Sequence, residues 1–170
     1  RRTTLEKLST LRAVFKKDGS VTAGNASGIN DGAAFMMLAT EEMCNDLKLK
    51  PIGEVIAIGQ GGVDPAIMGM GPVPAIKNAL NMVGLTLKDI DLIELNAAFA
   101  SHSLGVITQL AEDNDVSKDW IIDRINVNGG DMALGHPVGD SGARVTVNYI
   151  REMLKRNTKY ETASLRIGGV

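Results

Sequence analysis

The fold is decided by residues 91–110, DLIELNAAFASHSLGVITQL. The first part, residues 91–95, is a short apolar run of the kind that forms a buried strand. Residues 98–110 then carry apolar side chains at helical spacing, which predicts a helix. The polar Asn96 stands between the two. We therefore predict an α/β fold, and since ligands in open α/β sheets bind beyond the carboxyl ends of the strands, Asn96 is one of several candidate positions for a site.

Outward from this segment, short apolar runs alternate with helical patterns, which predicts a mixed sheet covered by helices. The predicted strands lie near residues 33–38, 54–58, 91–95, 123–127 and 162–167. The predicted helices cover residues 5–17, 40–47, 75–83, 98–110 and 141–154, with a helical turn at 86–90. Thr40 is the expected N-cap of the second helix, and Gly84 is expected to end the third. For residues 33–39 a helix is the open alternative.

The composition narrows the class of protein. With 170 residues, 44% of them hydrophobic, the chain is long enough to bury a core. A net charge of −2 and an aromatic content of 4% argue against nucleic-acid binding. No apolar run approaches the roughly 20 residues of a membrane span. The single cysteine, Cys44, fits a reducing compartment, so a cytoplasmic location is expected, and the spacing of His102, His136 and Cys44 predicts no metal site.

The strongest candidate for chemistry is the glycine-rich segment 128–144, NGGDMALGHPVGDSGAR. Pro137 restricts the backbone of His136, so the imidazole is expected to be held in place just before a helix. A neutral imidazole accepts a proton near neutral pH, which makes His136 the best general-base candidate. The alternative is a histidine that only hydrogen-bonds the loop backbone. The residue pattern leaves both interpretations open.

Three other features have two interpretations each, and two further residues, His102 and Trp120, have one. Asn96 can stabilise an oxyanion through its amide or a held water, or it can be the N-cap of the following helix, and the local pattern favours the cap. The small residues of 24–32 can admit a bulky cofactor or simply pack tightly. The methionines of 61–72 can line an adaptable surface or fill the core. His102 is expected at the surface or an interface, and Trp120 is expected to be a packing anchor.

Five blocks of the sequence resemble the thiolase family, in the family's order and over nearly the whole chain. They are VTAGNASGINDGAA (21–34), GVDPAIMGMGPVPAI (62–76), DLIELNAAFA (91–100), NVNGGDMALGHPVGDSGAR (126–144) and ASLRIGG (163–169). Within the family the sequence is most similar to the biosynthetic acetoacetyl-CoA thiolases. The resemblance implies a layered αβαβα fold. Residues 1–50 would end its N-terminal half, and residues 51–170 would form a C-terminal half that stops before the family's last strand.

The resemblance also implies roles for individual residues. His136 matches the histidine that activates the nucleophilic cysteine, and Asn96 matches the asparagine that holds a water in the oxyanion hole. Ser27 matches a serine that contacts coenzyme A, and Phe99 an aromatic near its pantetheine arm. Arg166 stands where the family has a second, proton-shuttling cysteine. Coenzyme A and acetyl-CoA are implied as substrates, with no resident cofactor. His136, Asn96 and residues 167–169 are expected to converge on one pocket.

The sequence departs from the family pattern at the site. The nucleophilic cysteine belongs to the N-terminal half, outside this sequence, and Cys44 stands among acidic residues that disfavour a thiolate. Ala97 replaces a glutamate, and Asp131 and Asp140 replace small residues.

These departures imply an acyl-CoA acyltransferase portion that is inactive as an isolated chain. The implied partners are an N-terminal half that carries the nucleophile and, since complete thiolases are dimers or tetramers, further copies of the same chain. The alternative function is a non-catalytic acyl-CoA-binding or assembly domain.

Overall fold

The computed structural model describes residues 3–166, which contain both helices and strands. The helices are α1 (Leu5–Ser9), α2 (Glu41–Asp46), α3 (Pro72–Val83), α4 (Ala100–Asn114), α5 (Lys118–Ile122), α6 (Asp131–Leu134) and α7 (Ser141–Arg156). The strands are β1 (Leu92–Leu95) and β2 (Glu161–Ser164), and 3-10 turns cover Pro65–Met70 and Leu87–Asp89. The predicted α/β class is confirmed.

The sheet is built from β1 and β2, which pair in parallel with Leu92 opposite Glu161 and Leu95 opposite Ser164. Ile93 makes a further isolated parallel bridge to Ile125. All four residues of β1 are buried. The sheet is therefore smaller than predicted and parallel rather than mixed within residues 3–166. Its central strand ends at the residue before Asn96.

The core lies between β1 and the helices α3, α4 and α5. Leu87 and Ile121 are completely buried within it, and Ile93 in β1 is 1% exposed. Trp120 packs against this cluster, and the guanidinium carbon of Arg124 lies 4.0 Å from the centre of its ring. The prediction that Trp120 is a packing anchor is confirmed.

Local capping chemistry sets the ends of several helices. The Thr40 hydroxyl accepts a hydrogen bond from the backbone N–H of Met43 at 3.2 Å, so the predicted N-cap of α2 is confirmed. α3 begins at Pro72, whose fixed φ suits a first helical position. It ends at Gly84, which has a left-handed φ of 69° as a C-cap glycine requires.

Two predicted strands, 33–38 and 54–58, are absent from the described chain. Both segments are irregular, and their large side chains are exposed: Phe35 is 90% and Ile58 73% exposed. A strand is stable only when a neighbouring strand accepts its hydrogen bonds and its apolar side chains are covered. Residues 3–166 offer neither to these two segments. The prediction was wrong because apolar composition alone does not supply a partner.

The predicted strand 123–127 is reduced to the single bridge at Ile125 for a local reason. Asn126 has a left-handed φ of 48°, which breaks an extended chain. Its side chain replaces the missing ladder, because Oδ1 accepts from Leu95 N at 2.7 Å and Nδ2 donates to Leu95 O at 2.9 Å. The predicted strand 162–167 forms only in part, as β2. Residues 165 and 166 are not in a strand, and residue 167 lies outside the described part of the chain.

The predicted helices differ from the observed ones mainly at their ends. The helix predicted over 5–17 is only the five residues of α1, and the helices predicted over 98–110 and 141–154 continue to residues 114 and 156. The helical turn at 86–90 is the second 3-10 turn. Within residues 3–166, no helix combines the length and the apolar character that crossing a membrane would require.

Glu94 is a buried carboxyl in the middle of β1. It is 4% exposed, and one of its oxygens accepts a hydrogen bond from Asn148 Nδ2 at 3.2 Å. Burial raises its pKa from the usual 4.5 to about 7, against the opposing effect of the Arg144 charge. A raised pKa favours the protonated form in the folded state. The stabilisation is thus fully present below about pH 4.5 and is lost as the pH rises through about 7.

We therefore expect Glu94→Gln to be more stable than the parent chain near pH 8, by about 2–3 kcal/mol, and to have nearly equal stability near pH 4.5. Urea unfolding followed by Trp120 fluorescence measures the difference. Glu112→Gln, at an exposed position of α4, is the matched control and should show no pH-dependent difference. A Glu94→Gln effect of the same size at both pH values would contradict the prediction.

Candidate active site around His136

The loop that carries His136 turns sharply just before it. Gly135 has a left-handed φ of 106°, and a Cβ there would lie 2.6 Å from Asn30 Oδ1, so only glycine fits. The backbone N–H of His136 donates to Gly28 O at 3.2 Å and lies 3.3 Å from Asn30 Oδ1. The loop is therefore held against residues 28–30, and the imidazole is directed to the end of β1.

The imidazole of His136 is held by side chains through one of its two nitrogens. Nδ1 lies 2.7 Å from Ser141 Oγ, 3.4 Å from Asn96 Nδ2 and 3.9 Å from Asp131 Oδ2. Within residues 3–166, no hydrogen bond engages Nε2. The contacts of the His136 ring are to side chains, and only the main-chain N–H of His136 is bonded to the loop of residues 28–30. A histidine whose ring only hydrogen-bonds the loop backbone is therefore not what the structure shows. The geometry suits a general base, and that role stays a prediction.

Asn96 lies directly after β1 and is 8% exposed. Its backbone N–H donates to Ser164 O at 2.9 Å, and its side-chain nitrogen donates to Asp131 Oδ2. The N-cap of α4 is Phe99, so the interpretation of Asn96 as the cap is wrong. The reason is tertiary: Phe99 is kept extended by its antiparallel bridge to Ala26, which delays the start of the helix.

Asp131 is the residue that joins these groups, and the sequence marked it only as a departure from the family. It is 1% exposed, and its two oxygens accept hydrogen bonds from Arg144 Nη2 and Asn96 Nδ2. Burial raises its pKa, while the charges of Arg144 and His136 act in the opposite direction. The sequence signal for this role was a charged residue at a position that the family fills with a small one.

Ser27 and Phe99, the two residues predicted to contact coenzyme A, lie on two segments that are joined by backbone hydrogen bonds. The backbone N–H of Ser27 donates to Ala98 O at 2.8 Å, beside the bridge between Ala26 and Phe99. Because the neighbouring Gly28 carbonyl bonds His136, this pair borders the same site. An open cavity of about 470 Å³ lies alongside, between residues 30–35 and 137–143.

His102 packs against Phe99 and lies within electrostatic range of Arg166. The His102 and Phe99 rings meet edge to face, with centroids 5.0 Å apart. Burial lowers the pKa of His102, and the charge of Arg166 lowers it further. His102 is half-buried, so it is not a fully exposed surface residue, and its position at an interface stays a prediction. Among residues 3–166, no hydrogen bond or ion pair joins Arg166 to His136, and the expected convergence of residues 167–169 lies outside the described residues.

No three histidine, cysteine or acidic side chains of the described chain approach each other closely enough to hold a metal ion. Cys44 is half-buried in α2. The groups that meet at the end of β1 are therefore an imidazole, an amide, a hydroxyl and a buried ion pair: His136, Asn96, Ser141, Asp131 and Arg144. An arrangement of this kind can accept a proton and orient a polar group.

Comparison with known proteins assigns the class. The family model for the thiolase C-terminal domain matches residues 49–170, and that for the thiolase N-terminal domain matches residues 1–42. The chain belongs to the thiolase family.

Two relatives and two solved structures illustrate the similarity. An acetyl-CoA acetyltransferase of Syntrophomonas wolfei is 48% identical over 99% of this chain and 41% of its own length. The human mitochondrial 3-ketoacyl-CoA thiolase is 49% identical over 98% of this chain and 40% of its own length. The crystal structure of the Bacillus anthracis acetyl-CoA acetyltransferase has a TM-score of 0.88 at 45% identity, over 98% of this chain and 40% of that one. A crystal structure of the human mitochondrial 3-ketoacyl-CoA thiolase in complex with CoA has a TM-score of 0.84 at 43% identity, over 99% of this chain and 40% of that one. The chain spans about 40% of the length of the curated relatives it matches.

The buried ion pair yields a stability prediction. Arg144→Met leaves the Asp131 carboxylate without its cation, so we expect a loss of about 3–5 kcal/mol in the free energy of unfolding at neutral pH. Adding Asp131→Asn should recover part of that loss, since no buried charge then remains. Urea unfolding measures both variants.

The matched control for this prediction is Arg151→Met, because Arg151 lies on the same helix and is exposed. The control should change the free energy of unfolding by well under about 1 kcal/mol. Equal losses from the two arginine substitutions would show that the ion pair is not the cause.

Proposed function

We propose that this chain is the portion of a thiolase that supplies the general base and the oxyanion group for acyl transfer between acyl-CoA and coenzyme A. The reaction is the condensation of two acetyl-CoA molecules to acetoacetyl-CoA or the reverse thiolysis. The observation that carries the proposal is the meeting of His136 and Asn96 at the end of β1, with Nδ1 and Nδ2 3.4 Å apart. Relatives named acetyl-CoA acetyltransferase support the choice of substrate.

In this mechanism Nε2 of His136 accepts the proton of a thiol. The positive charge that forms on the ring then lies 3.9 Å from the Asp131 carboxylate, which attracts it. The Asn96 amide nitrogen donates a hydrogen bond to Asp131. The amide oxygen of Asn96, Oδ1, accepts no hydrogen bond within residues 3–166. Asn96 Oδ1 is therefore available to hold a water that donates to the thioester oxygen.

Ser27 and Phe99 are the proposed contacts of coenzyme A, which is a substrate here and not a resident cofactor. Their support is position: Ser27 pairs with the chain beside Phe99, and the next residue, Gly28, bonds His136. The similar human thiolase in complex with CoA supports the same class of substrate. We infer acetyl or other short acyl groups only from the names of the relatives.

The resemblance places the nucleophilic cysteine in the N-terminal half, and no hydrogen bond within residues 3–166 joins Cys44 of α2 to the groups around His136. We propose that an N-terminal thiolase half supplies it, with residues 1–50 as the end of that half and 51–170 as the C-terminal half. The exposed apolar side chains of residues 29–58 support a covering partner, since surfaces of this kind mark interaction sites. A homo-oligomer is proposed on the same ground.

We also propose a cytoplasmic location, supported by the single cysteine in the sequence. One similar protein is named as a mitochondrial thiolase. The location of a fluorescent fusion of this chain in cells therefore distinguishes the cytoplasm from the mitochondrion.

A non-catalytic acyl-CoA-binding or assembly domain is the second candidate function. It is favoured by Arg166 at the position where the resemblance implies a proton-shuttling cysteine, because a guanidinium does not exchange protons at working pH. Ala97, 1% exposed, is a further departure beside the site. The two functions differ in whether a supplied nucleophile restores turnover.

The activity test follows acetoacetyl-CoA cleavage with coenzyme A. We expect no turnover by this chain alone, because covalent catalysis needs a nucleophile within reach of its base. With an N-terminal thiolase half added, turnover should stay about 10²–10⁴-fold below that of the same pair carrying Arg166→Cys.

His136→Gln in the Arg166→Cys pair is the control and should abolish the recovered turnover. Turnover by the chain alone would contradict the proposal, and failure of all pairs to turn over would favour the binding domain.

The association test uses sedimentation velocity over a range of concentrations. We expect this chain to self-associate, because Phe35 and Met37 are 90% and 86% exposed on one short segment. The double substitution Phe35→Ser and Met37→Ser should shift the distribution toward monomer. Met82→Ser is the control, since Met82 is 67% exposed but lies on α3. A dispersed monomer at high concentration would contradict the prediction.

A further inference from the structure

The hydrogen-bond partners of the groups around His136 Nδ1 indicate which of these groups donates a hydrogen and which accepts one. The Ser141 hydroxyl donates to Pro137 O at 3.2 Å, so its oxygen is left to accept from Nδ1, 2.7 Å away. The Asn96 amide is the competing donor, because its nitrogen lies 3.4 Å from the same Nδ1. Whichever group donates decides on which ring nitrogen His136 carries its own hydrogen.

Asp131 resolves this competition through its position. Its Oδ2 accepts one of the two N–H groups of the Asn96 amide, so the amide is held against the carboxylate and only its second N–H can compete for Nδ1. The other oxygen, Oδ1, is bound by Arg144, and the residue is 1% exposed, so the carboxylate is fixed in orientation. The carboxylate also lies 3.9 Å from Nδ1, where a negative charge favours a hydrogen on that nitrogen.

We propose that Asp131 is a positioning residue whose carboxylate, fixed by Arg144 and Asn96, holds neutral His136 in the tautomer with its hydrogen on Nδ1. The consequence is that the lone pair stands on Nε2, the nitrogen that no described residue engages. In the opposite tautomer Nε2 carries the hydrogen and cannot accept another, so base catalysis from that side fails. The importance of this tautomer for catalysis rests on the proposed function, while the tautomer itself does not.

The test is nitrogen NMR of the chain labelled with ¹⁵N-histidine, with the rings in their neutral form. The sequence has two histidines, so His102→Gln assigns the signals of His136 by subtraction. We expect a pyrrole-type signal for Nδ1 and a pyridine-type signal for Nε2. In Asp131→Asn the ratio of the two tautomers should move toward the Nε2–H form by about tenfold or more, because the negative charge near Nδ1 has been removed.

A rescue separates positioning from a general structural effect. Adding Asn96→Ala to Asp131→Asn removes the competing donor and should return His136 to the Nδ1–H form. Asp140→Asn, with the same change of charge in the same loop, should leave the tautomer unchanged. Backbone amide spectra check that each variant is folded, and Asp131→Ser replaces Asp131→Asn if the latter does not fold.

Three results would overturn the inference: an Nε2–H tautomer in the parent chain, an unchanged tautomer after loss of the carboxylate, or no rescue by Asn96→Ala. The readout needs no turnover and no second half. Failure of the proposed thiolase function would therefore appear in the activity assay alone and leave this result distinct.

Discussion

The buried carboxylate of Asp131 is the interaction on which the arrangement of the site depends. A charge that is 1% exposed is costly to bury unless it is paired and hydrogen-bonded, and Arg144 and Asn96 supply both partners. Arg144 belongs to α7, Asn96 follows β1, and Asp131 begins α6. One desolvated group thus ties a helix, a strand end and the histidine loop together. The His136 ring lies against this group, so its orientation follows from the pairing of the charge.

Helix α7 likewise places polar side chains toward the interior, where they form a stripe along one face of the helix. The stripe consists of Ser141, Arg144, Asn148 and Glu152, which contact His136, Asp131, Glu94 and Asn128 in turn. Helices usually bury apolar faces, whereas each of these four side chains makes at least one side-chain hydrogen bond. Arg144 Nε is the exception among the stripe's buried polar atoms, because it has no partner within residues 3–166. The directional contacts of the stripe set the register of α7 against β1, which apolar packing does less exactly. Burial of the Glu94 carboxyl raises its pKa to about 7, and the stripe members Arg144 and Asn148 offset that shift only in part.

The buried and the exposed apolar side chains lie in different parts of the chain. A compact core surrounds β1, whereas the segment from residue 29 to residue 58 exposes most of its large apolar side chains. These two regions meet at the histidine loop, since the His136 backbone bonds Gly28 and Asn30. The site therefore lies on the border between the covered and the uncovered part of the chain. The chain spans 41% of the length of its acetyl-CoA acetyltransferase relative from Syntrophomonas wolfei, and the uncovered apolar side chains lie on the segment beside this border.

The sequence by itself determined the features whose causes are local. The Thr40 cap, the Gly84 stop, the buried run of β1 and the glycine-rich loop around His136 follow from side-chain chemistry within a few positions. Only the tertiary structure decided that residues 33–38 and 54–58 are not strands, that Asn126 replaces a strand with side-chain bonds, and that Asn96 serves Asp131 instead of capping a helix. Asn96 and Asp131 are 35 positions apart, and their pairing depends on desolvation, which a local pattern does not record. Burial and inter-strand hydrogen bonding are properties of the assembled chain, and they outweigh local preference wherever the two compete.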